Sequence, residues 1–347
     1  MESALTRIVS DESPLDDGVC VVTVTYGDRK ALLEQLIDAL RGQDVVRAVV
    51  VDNGARWDVQ TWVKGITAIG IEVVSLGANL GSAAGFAAGI ERAVSTGAER
   101  IWLLDDDNRP GKGALQDLLR VCQEVYEREE PSRFALLSFR PEHQADIASG
   151  VPLERCYPRP GSFLGFHVLD LPYKLWRRTL WGKTKPAFSL PDRIPVPYAP
   201  YSGFFFHRTV IERIGLPDTR FVLYGDDTEF TARLTASGGT IYLVPSSSLE
   251  DLEASWNIKS RFGNSFKGWL CGGSDLRAFY GARNRAYIDS RQGGPRAVYR
   301  INRRVYLAIL RLFAAWEKRS HRFHLLRRAI GDGEAGRLGP RAEYELP

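Results

Sequence analysis

The sequence predicts an α/β fold whose mostly parallel sheet is flanked by helices. β-branched or apolar runs at residues 19–26, 48–54 and 71–76 alternate with segments of helical periodicity. Strands that alternate with helices are joined by right-handed crossovers, which produce a parallel sheet. With 347 residues, 44% of them hydrophobic, the chain is long enough for one large domain and an appendage.

The first strand, residues 19–26, precedes a helical pattern of leucines and isoleucine at residues 32–40. Beyond the third strand, Gly81, Gly85 and Gly89 recur every four residues in an alanine-rich stretch. This spacing predicts a helix that packs closely on the sheet, and a phosphate-binding turn is the alternative.

The most informative segment is an apolar run at residues 101–104 that ends in Asp105, Asp106 and Asp107. A buried strand of this kind emerges at the carboxyl edge of the sheet, where open α/β folds bind ligands. Asp105 and Asp107 point the same way in an extended chain, so both can bind one Mg²⁺ or Mn²⁺ ion. A solvated acidic turn is the alternative.

A second acidic cluster follows an irregular stretch. Residues 141–200 contain ten prolines and predict an insertion or lid. Regular structure resumes at residues 201–208, and an aromatic strand at 221–224 then leads into a helix that begins near Asp227. This junction carries three acidic residues, Asp226, Asp227 and Glu229. Their position predicts either a helix cap or a catalytic pair in which one carboxylate is the general base.

Composition divides the chain into three parts. We expect a flexible N-terminus at residues 1–17, an α/β domain at 18–256 and a mostly helical basic region at 257–347. The four cysteines have no paired spacing, so neither a zinc site nor a disulfide framework is expected. The sequence has no secretory signal and no apolar run long enough to span a membrane, so we expect a cytoplasmic protein.

Positive charge is concentrated near the C-terminus. Residues 296–328 contain ten Lys or Arg against Glu317, a net +9, and subtracting this from the total of +4 leaves −5 for the rest. The amphipathic stretch at 298–330 predicts binding to an anionic membrane surface. The alternative is a helix packed on the domain with solvated arginines. No nucleic-acid-reading motif accompanies the charge, so no nucleic-acid partner is expected.

In their order and spacing, these motifs resemble those of the GT-A fold glycosyltransferases of family 2. The similarity covers residues 18–256 and rests on residues 22–26, 50–54, 103–107, 202–204 and 225–229. Within the family the chain is most similar to the bacterial galactofuranosyl- and rhamnosyltransferases, on residues 79–81, 104–107, 214–218 and 280–284.

The resemblance implies a site for a UDP- or dTDP-linked sugar donor. Asp52 would bind the nucleobase, Thr25 and Tyr26 would line the same pocket, and Asn79 would belong to the donor site. Asp106 would lie near the ribose or the sugar.

The resemblance also implies the catalytic roles. Asp105 and Asp107 would hold Mn²⁺ or Mg²⁺ on the donor diphosphate, where the metal neutralises the leaving group. Asp227 would deprotonate the acceptor hydroxyl, and Asp226 would orient the acceptor or donor sugar. A base and a metal on opposite sides of the anomeric carbon imply inversion.

The sequence departs from the family pattern at the third metal ligand. Many relatives carry a histidine shortly after the last strand, whereas here Asp251 is the expected substitute, with Glu253 as the alternative. His143 has no partner at metal spacing and is expected at the surface or in packing. Arg283 and the basic region are expected to guide a diphosphate-lipid acceptor.

Together these observations predict an inverting hexosyltransferase at the inner face of a bacterial membrane. It would move a hexose, with galactofuranose or rhamnose favoured and glucose or galactose as alternatives, to a glycan or a polyprenyl-diphosphate-linked acceptor during synthesis of cell-surface polysaccharide. A non-catalytic carbohydrate-binding scaffold is the alternative. An NAD-dependent oxidoreductase is disfavoured because the first turn, residues 25–29, has no GxGxxG motif.

Overall fold

The computed structural model describes residues 18–176, 190–253, 262, 264–291, 294–344 and 346. The predicted flexible N-terminus, residues 1–17, lies outside them, as does part of the predicted insertion, residues 177–189. The described residues form nine strands: β1 (Val19–Gly27), β2 (Arg47–Ala55), β3 (Gly70–Ser75), β4 (Arg100–Asp105), β5 (Asn108–Pro110), β6 (Phe134–Phe139), β7 (Ile194–Val196), β8 (Phe204–His207) and β9 (Thr240–Asp251).

The strands form one mixed sheet in the order β3-β2-β1-β4-β8-β6-β9-β5, with β7 also paired to β9. β3, β2, β1 and β4 run parallel, as the alternation of strands and helices predicted. β8 lies antiparallel between β4 and β6, and β6 pairs parallel with β9. Six of the nine strands therefore share one direction, and their carboxyl ends meet at one edge.

Helices cover both faces of the sheet and form the C-terminal region. They are α1 (Lys30–Arg41), α2 (Val59–Val63), α3 (Ser82–Ser95), α4 (Ala114–Tyr126), α5 (Ala145–Ala148), α6 (Leu153–Cys156), α7 (Leu171–Trp176), α8 (Thr209–Ile214), α9 (Asp226–Ala236), α10 (Ser265–Cys271), α11 (Asp275–Arg291), α12 (Arg296–Trp316) and α13 (Ser320–Glu334).

The glycine-rich helix packs on the sheet, as predicted. A Cβ on Gly85 would lie 2.6 Å from Val24, and one on Gly89 would lie 2.4 Å from Val22, so only glycine allows this approach of α3 to β1. Gly81 has a different role, because it precedes α3 with φ 91° and a Cβ there would lie 2.0 Å from the carbonyl oxygen of Val222. This close contact joins the start of α3 to the segment that precedes α9.

The predicted aromatic strand at residues 221–224 is wrong. The chain there forms a 3₁₀ turn, Thr219–Phe221, and the next residues include two with positive φ, Val222 at 68° and Tyr224 at 66°. A strand cannot contain this geometry, which is unusual for non-glycine residues and is held by side chains of α11. Asp226 and Asp227 therefore begin α9 directly after a tight turn.

The predicted amphipathic stretch at 298–330 divides into two helices. α12 ends at Trp316, Lys318 adopts φ 53°, and α13 begins at Ser320. Both helices bury apolar side chains against α11, such as Tyr306 and Leu326. Among the described residues, none of the helices is both long and apolar enough to span a membrane.

Candidate active site at the carboxyl edge of the sheet

Asp105, the last residue of β4, and Asp107, in the turn that follows it, lie at the edge of the sheet where β1 also ends and β8 begins. The hydroxyl of Ser202, which is fully buried, donates a hydrogen bond to Asp105 Oδ2. Asp107 pairs with Arg29 through Nη2 at 3.1 Å. Burial, reinforced by the charge of Asp105, raises the pKa of Asp107 to about 6. Two carboxylates therefore repel each other at a place where a cation would stabilise both.

Asp106 points away from its two neighbours and into the protein. It is 2% exposed, and both its oxygens accept hydrogen bonds from Arg29 Nε, at 2.8 and 3.0 Å. Burial raises its pKa to about 7, although Arg29 and the Thr25 hydroxyl favour the ionised form. The carboxylate of Asp106 therefore positions Arg29, and the expectation that Asp106 lies near the ribose or the sugar stays a prediction.

Arg29 connects three acidic side chains at the end of β1. Its Nη1 lies 2.5 Å from Glu253, and its guanidinium stands 5.1 Å from the centre of the Tyr26 ring. Tyr26 is partly exposed, whereas Thr25 is fully buried. Tyr26 is therefore accessible to a ligand, whereas the side chain of Thr25 is not, because it is fully buried.

The predicted third metal ligand has other partners. Asp251 Oδ1 accepts hydrogen bonds from Arg140 Nη2 at 2.7 Å and from Asn108 Nδ2 at 3.1 Å, and Oδ2 lies 3.1 Å from His143 Nε2. Burial opposes ionisation, but the hydrogen bonds from His143 and Arg140 lower the pKa of Asp251 below its usual value. The oxygens of Asp251 are thus occupied by Arg140, Asn108 and His143, and His143 is part of the site, not an isolated surface residue.

The expected nucleobase residues lie at the end of β2. Asp52 is partly exposed, and its Oδ1 accepts a hydrogen bond from the Ala55 backbone at 2.8 Å, so it sits at the turn that closes β2. Asn79 Oδ1 accepts from the Gly81 backbone at 3.1 Å and from the buried Asn53 at 3.3 Å. Asn53 therefore fixes the loop that carries Asn79 against the end of β2.

The second carboxylate pair begins α9. Asp226 is 2% exposed and accepts a 2.8 Å hydrogen bond from the Ser82 hydroxyl. Burial and the adjacent Asp227 raise the pKa of Asp226, and burial also raises the pKa of Asp227. The charge of Asp105 acts on Asp227 in the same direction, which places the two acidic clusters on one site. A carboxylate with a raised pKa is a suitable general base.

Two buried side chains of α11 hold the turn before this pair. Asn284 Nδ2 donates to the carbonyl oxygens of Phe221, Leu223 and Tyr224, each at 2.8 Å. Arg283 is also fully buried and donates to the Phe221 carbonyl at 3.0 Å. The expectation that Arg283 guides an acceptor is therefore wrong, because its charge is directed at backbone oxygens inside the protein.

The donor set fits a divalent cation that completes its coordination with substrate. Asp105 and Asp107 supply hard oxygen ligands, but among the described residues no group of three or more His, Cys, Asp or Glu side chains is close enough to hold a metal ion. Mg²⁺ is commonly held by one or two carboxylates together with substrate phosphates. Two carboxylates, not the predicted three, thus make up the candidate metal site.

Sequence reasoning missed two cationic residues of this site, Arg29 and Arg140. Arg140 follows β6 and pairs with Asp251, and its charge offsets part of the rise that burial causes in the pKa of Asp107 and of Asp227. The available signal was position alone, since each arginine lies shortly after a strand that ends at the carboxyl edge. That signal is weak until the order of the strands is known.

Comparison with known proteins identifies the family. The sequence profile of glycosyl transferase family 2 matches residues 20–126. A galactofuranosyltransferase GlfT1 of Mycolicibacterium smegmatis is 31% identical over 225 residues, which span 63% of this chain and 66% of that relative. The GlfT1 protein of Mycobacterium tuberculosis is 28% identical over 299 residues, which span 80% of this chain and 84% of the relative.

A solved structure supports the fold. The crystal structure of S. aureus TarS residues 1–349 in complex with UDP-GlcNAc has a TM-score of 0.52 and 13% identity, over 91% of this chain and 80% of that one. At this identity the similarity concerns the fold alone. With the family profile, the GlfT1 relatives and the sheet topology in agreement, the chain belongs to glycosyl transferase family 2 and has the GT-A fold.

Proposed function

We propose that the chain is an inverting, divalent-cation-dependent transferase that moves galactofuranose from a nucleotide diphosphate to a glycan or polyprenyl-diphosphate-linked acceptor. The observation that carries this proposal is the meeting of two carboxylate pairs, Asp105 with Asp107 and Asp226 with Asp227, at one edge of the sheet. The first pair suits a metal and the second suits a base. Galactofuranose is favoured over rhamnose because the relatives are named galactofuranosyltransferases.

Charge at the site supports a role for the cation. Seven carboxyl groups adjoin two guanidinium groups among the described residues, namely Asp105, Asp106, Asp107, Asp226, Asp227, Asp251 and Glu253 beside Arg29 and Arg140. Such a site repels a diphosphate. A bound Mg²⁺ or Mn²⁺ ion would supply Lewis acidity and neutralise charge on the leaving diphosphate.

The protein's own residues perform the remaining tasks. Asp227 accepts the proton of the acceptor hydroxyl, and its raised pKa strengthens it as a base. Asp226, held by Ser82, orients the substrate beside it. Asp52 and Tyr26 bind the nucleoside at the ends of β2 and β1. The acceptor oxygen then displaces the nucleotide from the opposite face of the sugar, with inversion.

The base assignment is tested by Asp227→Asn, which preserves the shape of the side chain and its hydrogen bond from the Thr228 backbone at 2.6 Å. We expect loss of transfer with nearly unchanged donor affinity. Glu229→Gln is the matched control, because Glu229 lies on the same helix and pairs with Arg233. Turnover retained in Asp227→Asn would reject the assignment.

The metal and the donor are tested by thermal stabilisation with UDP-galactofuranose and dTDP-rhamnose, with and without Mn²⁺. A ligand at 100 times its Kd adds about 2.7 kcal/mol, which raises the melting temperature by a few degrees. We expect a Mn²⁺-dependent rise with UDP-galactofuranose that is lost in Asp107→Asn and kept in the exposed control Asp38→Asn. A rise without metal, or with rhamnose alone, would contradict the proposal.

We also propose that the protein is cytoplasmic and binds the inner face of the membrane through α12. This helix exposes Ile301, Leu312 and Trp316, with Trp316 86% exposed, beside exposed arginines. A helix with an apolar strip bordered by arginines suits an anionic bilayer surface. Leu312→Ser with Trp316→Ser should lower flotation with anionic liposomes, whereas Val46→Ser, an exposed site on the sheet domain, should not.

A further inference from the structure

A groove of about 650 Å³ lies between the end of α11, the first half of α12 and the end of α13. Five arginines and one glutamate line it: Arg291, Arg296, Arg300, Arg303, Arg304 and Glu334. The lining therefore carries a net charge of +4. It belongs to the C-terminal helices and is separate from the carboxylate-rich edge of the sheet.

The one carboxylate in the lining, that of Glu334, already accepts hydrogen bonds from other lining residues. Glu334 Oε1 accepts hydrogen bonds from the Tyr299 hydroxyl at 2.8 Å and from Arg303 Nε at 2.5 Å. Arg291 is fixed over the Tyr287 ring, 3.9 Å from its centre, and donates to the Tyr287 carbonyl at 3.3 Å. One arginine is thus neutralised, and another is held rigidly at the rim of the groove.

The other three arginines have no anionic partner within the part of the chain that the structure describes. Arg296, Arg300 and Arg304 are exposed and follow each other at intervals of four residues, so their side chains share one face of α12. Like charges at this spacing repel each other and destabilise a helix. An arrangement with this cost and no internal counter-charge is suited to an external anion.

We propose that this groove binds a phosphate or diphosphate group of an anionic lipid. Guanidinium groups bind phosphate oxygens through paired, charge-assisted hydrogen bonds, and the groove adjoins the N-terminus of α12, whose dipole also favours an anion. Ile301, 52% exposed, directly follows Arg300 on the same helix but is not one of the residues that line the groove. An exposed apolar side chain next to phosphate-binding arginines fits a lipid headgroup better than a free phosphate ion.

This inference does not require sugar transfer, and it differs from general attraction of the basic region to a membrane. A discrete site depends on arginines of the groove, whereas general attraction depends only on total charge. The matched pair of variants is Arg300→Gln with Arg304→Gln, inside the groove, and Arg311→Gln with Arg319→Gln, outside it. Each pair removes two exposed positive charges from the same region.

The first measurement is calorimetric titration of the full chain with inorganic pyrophosphate in EDTA. Without a divalent cation, the carboxylates at the sheet edge repel this probe. We expect one binding site that is weakened about tenfold or more in the groove variant and changed less than about twofold in the control variant. Equal weakening in both variants, or no binding by the full chain, would overturn the proposal.

The second measurement is flotation with phosphatidylcholine vesicles that contain or lack phosphatidylglycerol. We expect the groove variant to lose more binding to anionic vesicles than the control variant, and pyrophosphate to displace the unmodified chain. Equal recovery of the two variants, despite groove-dependent pyrophosphate binding, would assign the site to a soluble phosphate and overturn the lipid part of the proposal. Urea unfolding midpoints show whether each variant remains folded.

Discussion

Replacing Asn284 with leucine tests whether α11 holds the geometry of the catalytic pair, Asp226 and Asp227, in addition to stabilising the C-terminal helices. Asn284 is fully buried, donates to three carbonyl oxygens of the turn before α9, and accepts a 2.8 Å hydrogen bond from Arg283 Nε. Leucine has a similar volume and none of these hydrogen bonds. The turn contains Val222 and Tyr224 at positive φ, which cost about 1–2 kcal/mol each when unsupported.

Asn302→Leu is the matched control. Asn302 is equally buried on α12, but among the described residues it donates to one group, the Gly161 carbonyl at 2.8 Å, and accepts from one, the Val168 backbone at 2.9 Å. Each buried polar group left without a partner costs about 1–3 kcal/mol at most. We therefore expect the free energy of unfolding to fall by about 3–5 kcal/mol in Asn284→Leu and by about 2 kcal/mol in Asn302→Leu.

Urea unfolding measures both losses, and amide hydrogen exchange at residues 222–228 reports the turn itself. We expect faster exchange there in Asn284→Leu alone, together with loss of transfer. If the two variants show equal exchange at this turn and equal turnover, the hydrogen bonds from α11 do not hold the catalytic pair. Should Asn284→Leu fail to fold, Asn284→Ser keeps one donor and allows the same comparison.

Two further substitutions test the turn and the carboxylate pair. Gly81→Ala should lower the free energy of unfolding by about 3 kcal/mol or more, because its Cβ would meet the Val222 carbonyl. Gly77→Ala, at φ 73° in open space, should lower it by about 1 kcal/mol. Urea unfolding measures both values, and equal losses would contradict the contact between Gly81 and Val222. Since the folded pKa of Asp226 is raised, its contribution to stability is present below about pH 4 and is lost as the pH rises through that raised pKa. Unfolding free energy in EDTA should therefore fall across this range, and Asp226→Asn should flatten the fall; an unchanged slope would contradict burial as the cause.

Local sequence pattern was sufficient for the parallel half of the sheet. β1, β2 and β4 are nearly continuous apolar runs because both of their faces are covered by helices, so their limits are visible in the sequence. β5, at Asn108–Pro110, has only three residues and exists through pairing with β9, which is more than a hundred residues away. No local signal predicts a strand of this kind.

In the candidate site, too, some residues could be predicted from the local sequence, whereas the roles of others depend on distant segments of the chain. Asp105 and Asp107 were predicted from their spacing in an extended segment, but β4 ends at Asp105 and Asp107 lies in the turn before β5, so the strand geometry assumed for the pair is wrong. The inward direction of Asp106 and the engagement of Asp251 depend on Arg29 and Arg140, which the fold brings from distant segments. The positive φ values before Asp226 likewise depend on Asn284, about 60 residues later in the chain.

The distribution of charge suggests how an anionic acceptor would be oriented if both proposals hold. The carboxylates at the sheet edge repel a phosphate, whereas the arginine groove attracts one. Arg291 borders the groove and also a second cavity of about 580 Å³, which reaches Tyr198 and Glu229 on α9. Glu229 follows Asp227 by two residues on α9, so this cavity lies along the helix that carries the proposed base. An acceptor with its phosphate in the groove would therefore have its sugar end directed toward Asp227, and charge alone would disfavour the reverse orientation.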